Sequence, residues 1–268
     1  MPTLLPEVAG PWLASAPLAG PESGEVHLWW VDLGVDLDAE VHLRPTLDPD
    51  ELAVADGLRR PHDRMRFVVA HAALRTILAG YLGRPPAKLE FRHGPGGKPE
   101  LRDSPVRFSL SRSHDLALCA VGRMEVGVDV ERVHGEEPEW LNLLCPKAWL
   151  ALAALPEKDR PAAFYRAWTR MEACVKAAGT SVDLGVARLE TFLDRAGARP
   201  WSYQLPQGSH WRCHDLTASG EYVGALALAQ ETTVRSTWWT GPGSERLVPG
   251  MAREHDSGHP AADGGDGQ

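Results

Sequence analysis

The sequence predicts an α+β fold in which a similar pattern of elements occurs twice. Strand-like and helical segments follow one another as strand, helices and strands, and helices and strands then return. This order places a boundary near residue 125, with an N-terminal α+β half over 25–125 and a C-terminal half over 126–240. A binding site is expected between the halves, because clefts between domains are favoured places for ligands.

In the first half, residues 1–24 are rich in Pro, Ala and Gly and are predicted to be irregular, and 26–33 alternates as a strand. A helix should begin at Asp48, which offers an N-cap followed by Pro49 at N1 and Glu51 at N3. The remaining elements are a helix over 63–82, a Gly- and Pro-rich loop over 94–99, and strands over 106–111 and 116–121.

The second half should open with a strand over 126–131. Its main helix is predicted over 160–178, where Gly179 ends it. A shorter helix is expected over 146–155, and strands over 189–193, 202–205, 210–216 and 222–230. The tail over 241–268 has the composition of a disordered segment.

The composition limits the class of protein. The chain has 268 residues with 43% hydrophobic residues, and its formal net charge of −8 argues against a nucleic-acid binder. Four cysteines without paired spacing indicate reduced, buried thiols in a cytoplasmic protein. Neither a secretory leader nor an apolar run of membrane-spanning length is evident, so no membrane association is expected.

Two short segments carry the candidate chemistry. The segment 127–131 reads Gly-Val-Asp-Val-Glu, so Asp129 and Glu131 lie on one face of a strand and the two valines point into a core. In the second segment, Glu172 and Lys176 are four residues apart and share one helix face. Three carboxylates beside a lysine could hold a hard cation such as Mg²⁺ against a phosphate.

Four motifs occur in the order and spacing of a known family. They are Gly97-Lys98-Pro99, Phe-Ser-Leu-Ser at 108–111, Gly-Val-Asp-Val-Glu at 127–131, and Trp-Thr-x-x-Glu-Ala-x-x-Lys at 168–176. Over residues 50–230 the chain resembles the 4′-phosphopantetheinyl transferase superfamily, in its larger monomeric, surfactin-synthetase-activating class. The resemblance implies a pseudo-dimer of two similar α+β halves with coenzyme A bound between them.

The implied reaction is Mg²⁺-dependent transfer of the phosphopantetheine arm of coenzyme A to a carrier-protein serine, with release of adenosine 3′,5′-bisphosphate. The implied partners are acyl or peptidyl carrier domains of polyketide, nonribosomal peptide or fatty-acid synthases. A cytoplasmic monomer that binds neither nucleic acid nor membrane is expected.

The resemblance also assigns roles to individual residues. Asp129, Glu131 and Glu172 match the ligands of Mg²⁺, for which Mn²⁺ is an alternative, and Glu172 also matches the general base. Lys176 matches a lysine that contacts the phosphates. The other implied coenzyme A contacts are Arg66 near the 3′-phosphate, Gly97, Lys98 and Pro99 at the nucleotide end, and Ser111 and Arg112 at a phosphate, together with Asp129.

Two positions depart from the family pattern. Met171 stands where the family usually has lysine, and Arg112 stands where it usually has histidine. Because arginine is always charged and can grip a phosphate with two donors, we expect Arg112 to supply part of the missing charge. Two other functions stay open: a catalytically decayed coenzyme A or nucleotide binder, which Met171 favours, and a metal-dependent diphosphate hydrolase that uses the same carboxylates.

Overall fold

The computed structural model describes residues 7–8, 20–35, 37–94, 96–135, 138, 140–193, 201–205, 208–217, 221–239 and 241. Its helices are α1 Ala39–Leu43, α2 Pro49–Gly57, α3 Pro61–Leu82, α4 Leu141–Leu144, α5 Pro146–Ala153, α6 Arg160–Ala178 and α7 Asp183–Val186. Its strands are β1 Glu7–Val8, β2 Glu25–Asp32, β3 Phe91–His93, β4 Pro99–Leu101, β5 Arg107–Ser113, β6 Leu116–Gly122, β7 Val126–Arg132, β8 Trp201–Gln204, β9 His210–Thr217, β10 Tyr222–Leu228 and β11 Thr233–Trp239. Short 3₁₀ helices occupy Arg44–Thr46, Pro86–Lys88, Glu157–Asp159 and Leu189–Phe192.

The strands form two main sheets and one small hairpin. One sheet has the order β1-β11-β2-β6-β5, the other has the order β7-β10-β9-β8, and β3 pairs with β4. Helices and largely antiparallel sheets together confirm the predicted α+β class. The division at residue 125 stays a prediction, and β11, which falls in the second range, lies in the first sheet beside β2.

Each main sheet has one long helix in its core. Helix α3 shares an apolar core with β2, β5 and β6, and α6 shares another with β8, β9 and β10. A third apolar layer lies between the sheets and is formed by alternate residues of their strands, including Leu28, Trp30, Val128 and Val130. Because β2 and β7 have a period of two, each strand presents one set of side chains to this layer and the other to a helix.

The helix ends follow the local signals in the sequence. The Asp48 side chain accepts a hydrogen bond from the Glu51 backbone N–H at 2.9 Å, and the Glu51 side chain accepts from the Asp48 N–H at 3.2 Å. This confirms the predicted N-terminus of α2. Fully buried Arg75 on α3 binds both carboxylates, which ties α3 to that N-terminus. At the far end of α6, Gly179 adopts a left-handed conformation with φ of 61°.

Helix α3 is long and apolar enough to cross a membrane, judged by length and composition alone. In this protein, however, 67% of its apolar window is buried inside the fold. It therefore has the surroundings of a core helix.

The predicted elements agree with the structure within two residues at each end, except for one strand. The strand predicted over 189–193 is wrong, because this segment forms the 3₁₀ helix Leu189–Phe192. Leu189 and Phe192 are both buried, and a 3₁₀ turn brings residues three apart onto one side. The irregular lead-in over 1–24 is corrected at Glu7–Val8, where two residues pair with β11. Residues 242–268 of the predicted disordered tail lie outside the described residues.

Candidate active site

The face of β7 that carries acidic residues lies against α6. Asp129 is 2% exposed and Glu131 is half-buried, whereas Val128 and Val130 point into the apolar layer between the sheets. The predicted alternation along this strand is therefore confirmed. It places two carboxylates on the face toward α6, and the valines of the other face anchor the strand in the apolar layer.

Gly127 allows β7 to approach α6 closely. A Cβ atom at this position would lie 1.9 Å from the Ala173 carbonyl oxygen and 2.4 Å from the Ala177 backbone nitrogen. Any side chain would therefore overlap the helix backbone. The absence of a side chain at Gly127 brings Asp129, two residues further on, within reach of the polar residues of α6.

Asp129 lies at the centre of a polar network that joins three elements. Its Oδ1 accepts hydrogen bonds from Lys176 Nζ at 2.5 Å and from Ser111 Oγ at 2.6 Å. Lys176 Nζ also donates to Ser111 Oγ at 3.1 Å. The second oxygen, Asp129 Oδ2, is buried and has no hydrogen-bond partner among the described residues. A buried carboxylate oxygen without a partner is costly, so this atom is suited to receive a ligand.

Lys176 stands between two carboxylates. Its Nζ is 3.4 Å from Glu172 Oε2 and 2.5 Å from Asp129 Oδ1. Burial disfavours the ammonium form, but Asp129 and Glu172 outweigh that effect and raise the pKa of Lys176. The lysine is therefore a fixed positive charge at neutral pH.

Glu172 and Glu131 sit in surroundings that favour the protonated carboxyl. Burial raises the pKa of Glu172, and Asp129 adds to the effect while Lys176 opposes it. Burial also raises the pKa of Glu131, with Asp129 adding and a hydrogen bond from Ser113 Oγ at 2.6 Å opposing. A positive charge entering this site would favour the ionised form of both groups.

The donor chemistry of the site suits a hard cation, although the residues alone do not form a closed cage. In the described part of the chain, no three His, Cys, Asp or Glu side chains lie together as a metal-binding group. Mg²⁺ is usually held by one or two carboxylates plus waters and substrate phosphates. Asp129, with its unpartnered Oδ2, and the neighbouring Glu131 fit that requirement.

The two predicted arginines, Arg66 on α3 and Arg112 on β5, have other partners than the carboxylates of β7 and α6 among the described residues. Arg66 donates to Asp115 Oδ1 from Nε at 2.9 Å and from Nη2 at 2.6 Å. Arg112 is exposed and lies over the Phe67 ring at 5.6 Å. Along β5, Arg112 points to the opposite side from Ser111, which contacts Asp129. Ser111 thus joins the carboxylate network directly, and the two arginines do not.

The loop that contains Gly97 and Lys98 is held at the start of β7. Lys98 Nζ donates to Glu125 Oε2 at 2.9 Å and to the Val126 carbonyl at 3.0 Å. Gly96 lies so close to the end of α6 that a Cβ atom would be 2.0 Å from the Gly179 carbonyl oxygen. Gly97, with φ of 80°, and Pro99, which opens β4, follow this contact. The loop therefore contacts both the start of β7 and the end of α6.

Met171 is a core residue. It is 0% exposed and belongs to the apolar cluster under α6, where its Sδ would be 2.3 Å from a Cβ placed on Gly185. Its neighbour Arg170 is equally buried and binds both oxygens of Asp215 at 2.7 Å. Neither side chain takes part in the carboxylate network. Position 171 therefore lies in the core, so the absence of a lysine there does not indicate a decayed active site.

Replacing Met171 with lysine is expected to destabilise the protein by several kcal/mol without improving catalysis, because an ammonium would be buried among apolar side chains. Met171→Leu, a volume-conserving change, should cost less than about 1.5 kcal/mol. Urea denaturation of the two variants measures the difference. Equal stability of the two variants would contradict the placement of Met171 in the core.

The sequence prediction missed residues that support the carboxylates. Ser113 binds Glu131, and Ser109 Oγ accepts from the Val128 N–H at 3.1 Å. The sequence signal was the alternation of serines at 109, 111 and 113. It could be interpreted only once β5 and β7 were known to be neighbours.

Near Glu131, the His134 ring packs on the Tyr165 ring, with centroids 5.5 Å apart.

The sequence is similar to those of known proteins. A sequence model of the 4′-phosphopantetheinyl transferase superfamily matches residues 125–227, which include β7 and α6. The chain is 34% identical over 226 residues to the 4′-phosphopantetheinyl transferase HetI of Nostoc sp., covering 81% of this chain and 93% of the relative. It is 28% identical over 174 residues to a 4′-phosphopantetheinyl transferase of Bacillus subtilis, covering 62% and 75% respectively. The corresponding identity to the transferase psf-1 of Bacillus pumilus is 25% over 162 residues, covering 58% and 67%. This chain belongs to the 4′-phosphopantetheinyl transferase superfamily.

Proposed function

We propose that this protein transfers the 4′-phosphopantetheine arm of coenzyme A to a serine of an acyl or peptidyl carrier protein. The main support for this proposal is that Asp129 and Glu172 both pair with Lys176 in a chain of this family. A carboxylate pair and a fixed cation beside a close helix–strand contact suit phosphoryl transfer, which depends on positioning and charge neutralisation.

In the proposed reaction, the carrier serine oxygen bonds to the phosphorus that bears the pantetheine arm. The bond from that phosphorus to the bridging oxygen breaks, and adenosine 3′,5′-bisphosphate leaves. Glu172 accepts the serine proton, a role supported by its half-buried carboxylate and by its raised pKa. Lys176 supplies positive charge to the diphosphate as negative charge develops on the leaving group.

Asp129, Glu131 and Glu172 would hold Mg²⁺ or Mn²⁺, which would neutralise charge on the diphosphate and on the leaving bisphosphate. The unpartnered Oδ2 of Asp129 supports this assignment. Lys176 already neutralises part of the acidic cluster, so the carboxylates remain together before substrate arrives.

The nucleotide end of coenzyme A is proposed to meet Arg66, Arg112 and the loop of Gly97, Lys98 and Pro99. The ion pair of Arg66 with Asp115 involves a carboxylate that is 49% exposed, and exposed pairs stabilise little. A phosphate could therefore replace Asp115 at small cost. Lys98 uses two of its three N–H donors on Glu125 and Val126, which leaves one for a substrate.

A protein partner is supported by an apolar surface on α4 and α5. Leu143, Leu144 and Leu150 are 79%, 62% and 68% exposed, and contiguous exposed apolar side chains are typical of protein interfaces. We propose that the carrier belongs to a polyketide, nonribosomal peptide or fatty-acid synthase. We further propose that the transferase is cytoplasmic. We propose that it acts as a monomer, because both sides of the site come from one chain.

Glu172→Gln is expected to lower the transfer rate by about 10²–10⁴-fold, because the amide cannot accept the serine proton. The measurement is mass spectrometry of an apo carrier protein incubated with the enzyme, coenzyme A and Mg²⁺. Wild type should add the mass of one phosphopantetheine group. Glu157→Gln, in the 3₁₀ helix before α6, is a matched control that should retain activity. Binding of coenzyme A without transfer to any of several carriers would favour the decayed binder instead.

Arg112→Ala is expected to raise the Michaelis constant for coenzyme A strongly, with a smaller effect on kcat, if the guanidinium binds a phosphate of the substrate. Steady-state kinetics with varied coenzyme A measures both parameters. Arg92→Ala removes another exposed arginine of the first half, 58% exposed and paired with Glu100, and should leave the constant unchanged. An unchanged constant for Arg112→Ala would remove this residue from the proposed substrate site.

A further inference from the structure

Three serines of β5 form a regular seam with β7. The hydroxyl oxygens of Ser109, Ser111 and Ser113 accept hydrogen bonds from the backbone N–H groups of Val128, Val130 and Arg132 at 3.1, 3.4 and 3.1 Å. The two strands belong to different sheets, with β5 at an edge of one and β7 at an edge of the other. Serine oxygens here accept the N–H groups that backbone carbonyls would accept between paired strands.

Two of the three hydroxyls also donate to an acidic side chain. Ser111 Oγ donates to Asp129 Oδ1, and Ser113 Oγ donates to Glu131 Oε2, each at 2.6 Å. A hydroxyl has one hydrogen, so each of these donors is committed to its carboxylate. Ser109 has no corresponding carboxylate, because the β7 residue before Val128 is Gly127. Ser111 and Ser113 therefore each hold an acidic side chain, and Ser109 makes only the backbone contact.

We propose that Ser113 is a positioning residue for Glu131, itself held in place by its contact with the Arg132 backbone N–H. Ser113 is 8% exposed, and its hydrogen bond to Oε2 is short and charge-assisted. It holds one carboxylate oxygen of Glu131 and leaves Oε1 for a cation. This inference rests on the proposed role of Glu131 as a metal ligand.

A positioning role differs from a ligand role in what it changes. Groups that orient metal ligands usually contribute about 10–100-fold to metal affinity, although they do not touch the metal. Loss of the acceptor for a backbone N–H, by contrast, lowers the stability of the fold and leaves the metal affinity unchanged. Ser109 and Ser113 make the same backbone contact at the same distance, so Ser109→Ala is a matched control for the structural part of the effect.

The test compares Mn²⁺ binding to Ser113→Ala, Ser109→Ala and wild type, measured by electron paramagnetic resonance of free Mn²⁺ with coenzyme A present. Ser113→Ala should weaken Mn²⁺ binding by about 10–100-fold, and Ser109→Ala should leave it unchanged. Thermal denaturation should show a loss of stability in both, and a larger one in Ser113→Ala, which also loses the hydrogen bond to Glu131. Ser113→Thr keeps the hydroxyl and should restore affinity, which keeps the test valid if Ser113→Ala folds poorly.

Glu131→Gln separates failure of the inference from failure of the proposed ligand role. If Glu131→Gln weakens Mn²⁺ binding and Ser113→Ala does not, the positioning role is overturned and the ligand role stands. If Glu131→Gln leaves Mn²⁺ affinity unchanged, both are overturned. The inference further requires that Ser113→Ala adds little to Glu131→Gln in the double variant, because the two changes remove one shared interaction.

Discussion

Asp129→Asn is expected to reduce phosphopantetheine transfer by at least about a hundredfold, because it removes the charge at the centre of the polar network. The asparagine oxygen can still accept from Lys176 and Ser111, so the shape of the site is kept. The buried Oδ2, however, becomes an amide nitrogen without an acceptor among the described residues. The carrier-modification assay with Mg²⁺ measures the loss of activity.

The same variant should lose about 1–3 kcal/mol of stability, less than a fully buried pair would, because Lys176 is 29% exposed and keeps Glu172. Asp56→Asn breaks the exposed pair with Arg44 and should cost no more than about 1 kcal/mol. Adding Lys176→Met to Asp129→Asn should not recover transfer, because the double variant also lacks the positive charge and leaves Glu172 without its ion-pair partner. Recovery of transfer in the double variant would show that the charges serve folding only.

Local periodicity in the sequence predicted the parts of the site that lie within one element. The period of two in β7 placed Asp129 and Glu131 on one face, and the four-residue spacing in α6 placed Glu172 beside Lys176. The capping residues that begin α2 and the glycine that ends α6 were also predicted from the sequence. Each of these features depends on residues close together in the chain.

Contacts between distant segments were not predictable in the same way. Strand β11 pairs with β2 across a separation of about two hundred residues, and nothing local to either strand specifies that partner. The serine seam likewise became visible only when β5 and β7 were found side by side. The core position of Met171 follows from the packing of α7 against α6, which a family pattern in one helix does not contain.

Gly127→Ala is expected to destabilise the protein strongly. Its Cβ would lie 1.9 Å from the Ala173 carbonyl oxygen, and a helix backbone cannot move as a flexible side chain can. Strand β7 and helix α6 would have to separate, at a cost of about 3 kcal/mol or more. Urea denaturation of this variant and of Gly57→Ala measures the effect, since a Cβ on Gly57 meets nothing within 4 Å.

The consequence for catalysis follows from the same contact. Lys176 is on the helix and Asp129 is on the strand, so a shift that relieves the overlap also lengthens their 2.5 Å contact. Any Gly127→Ala protein that remains folded should therefore lose transfer activity, whereas Gly57→Ala should be fully active and equally stable or more stable by up to about 1 kcal/mol. Wild-type stability in Gly127→Ala would contradict the close approach of β7 to α6. Wild-type transfer in a folded Gly127→Ala protein would instead mean that the Asp129–Lys176 contact is not required for the reaction.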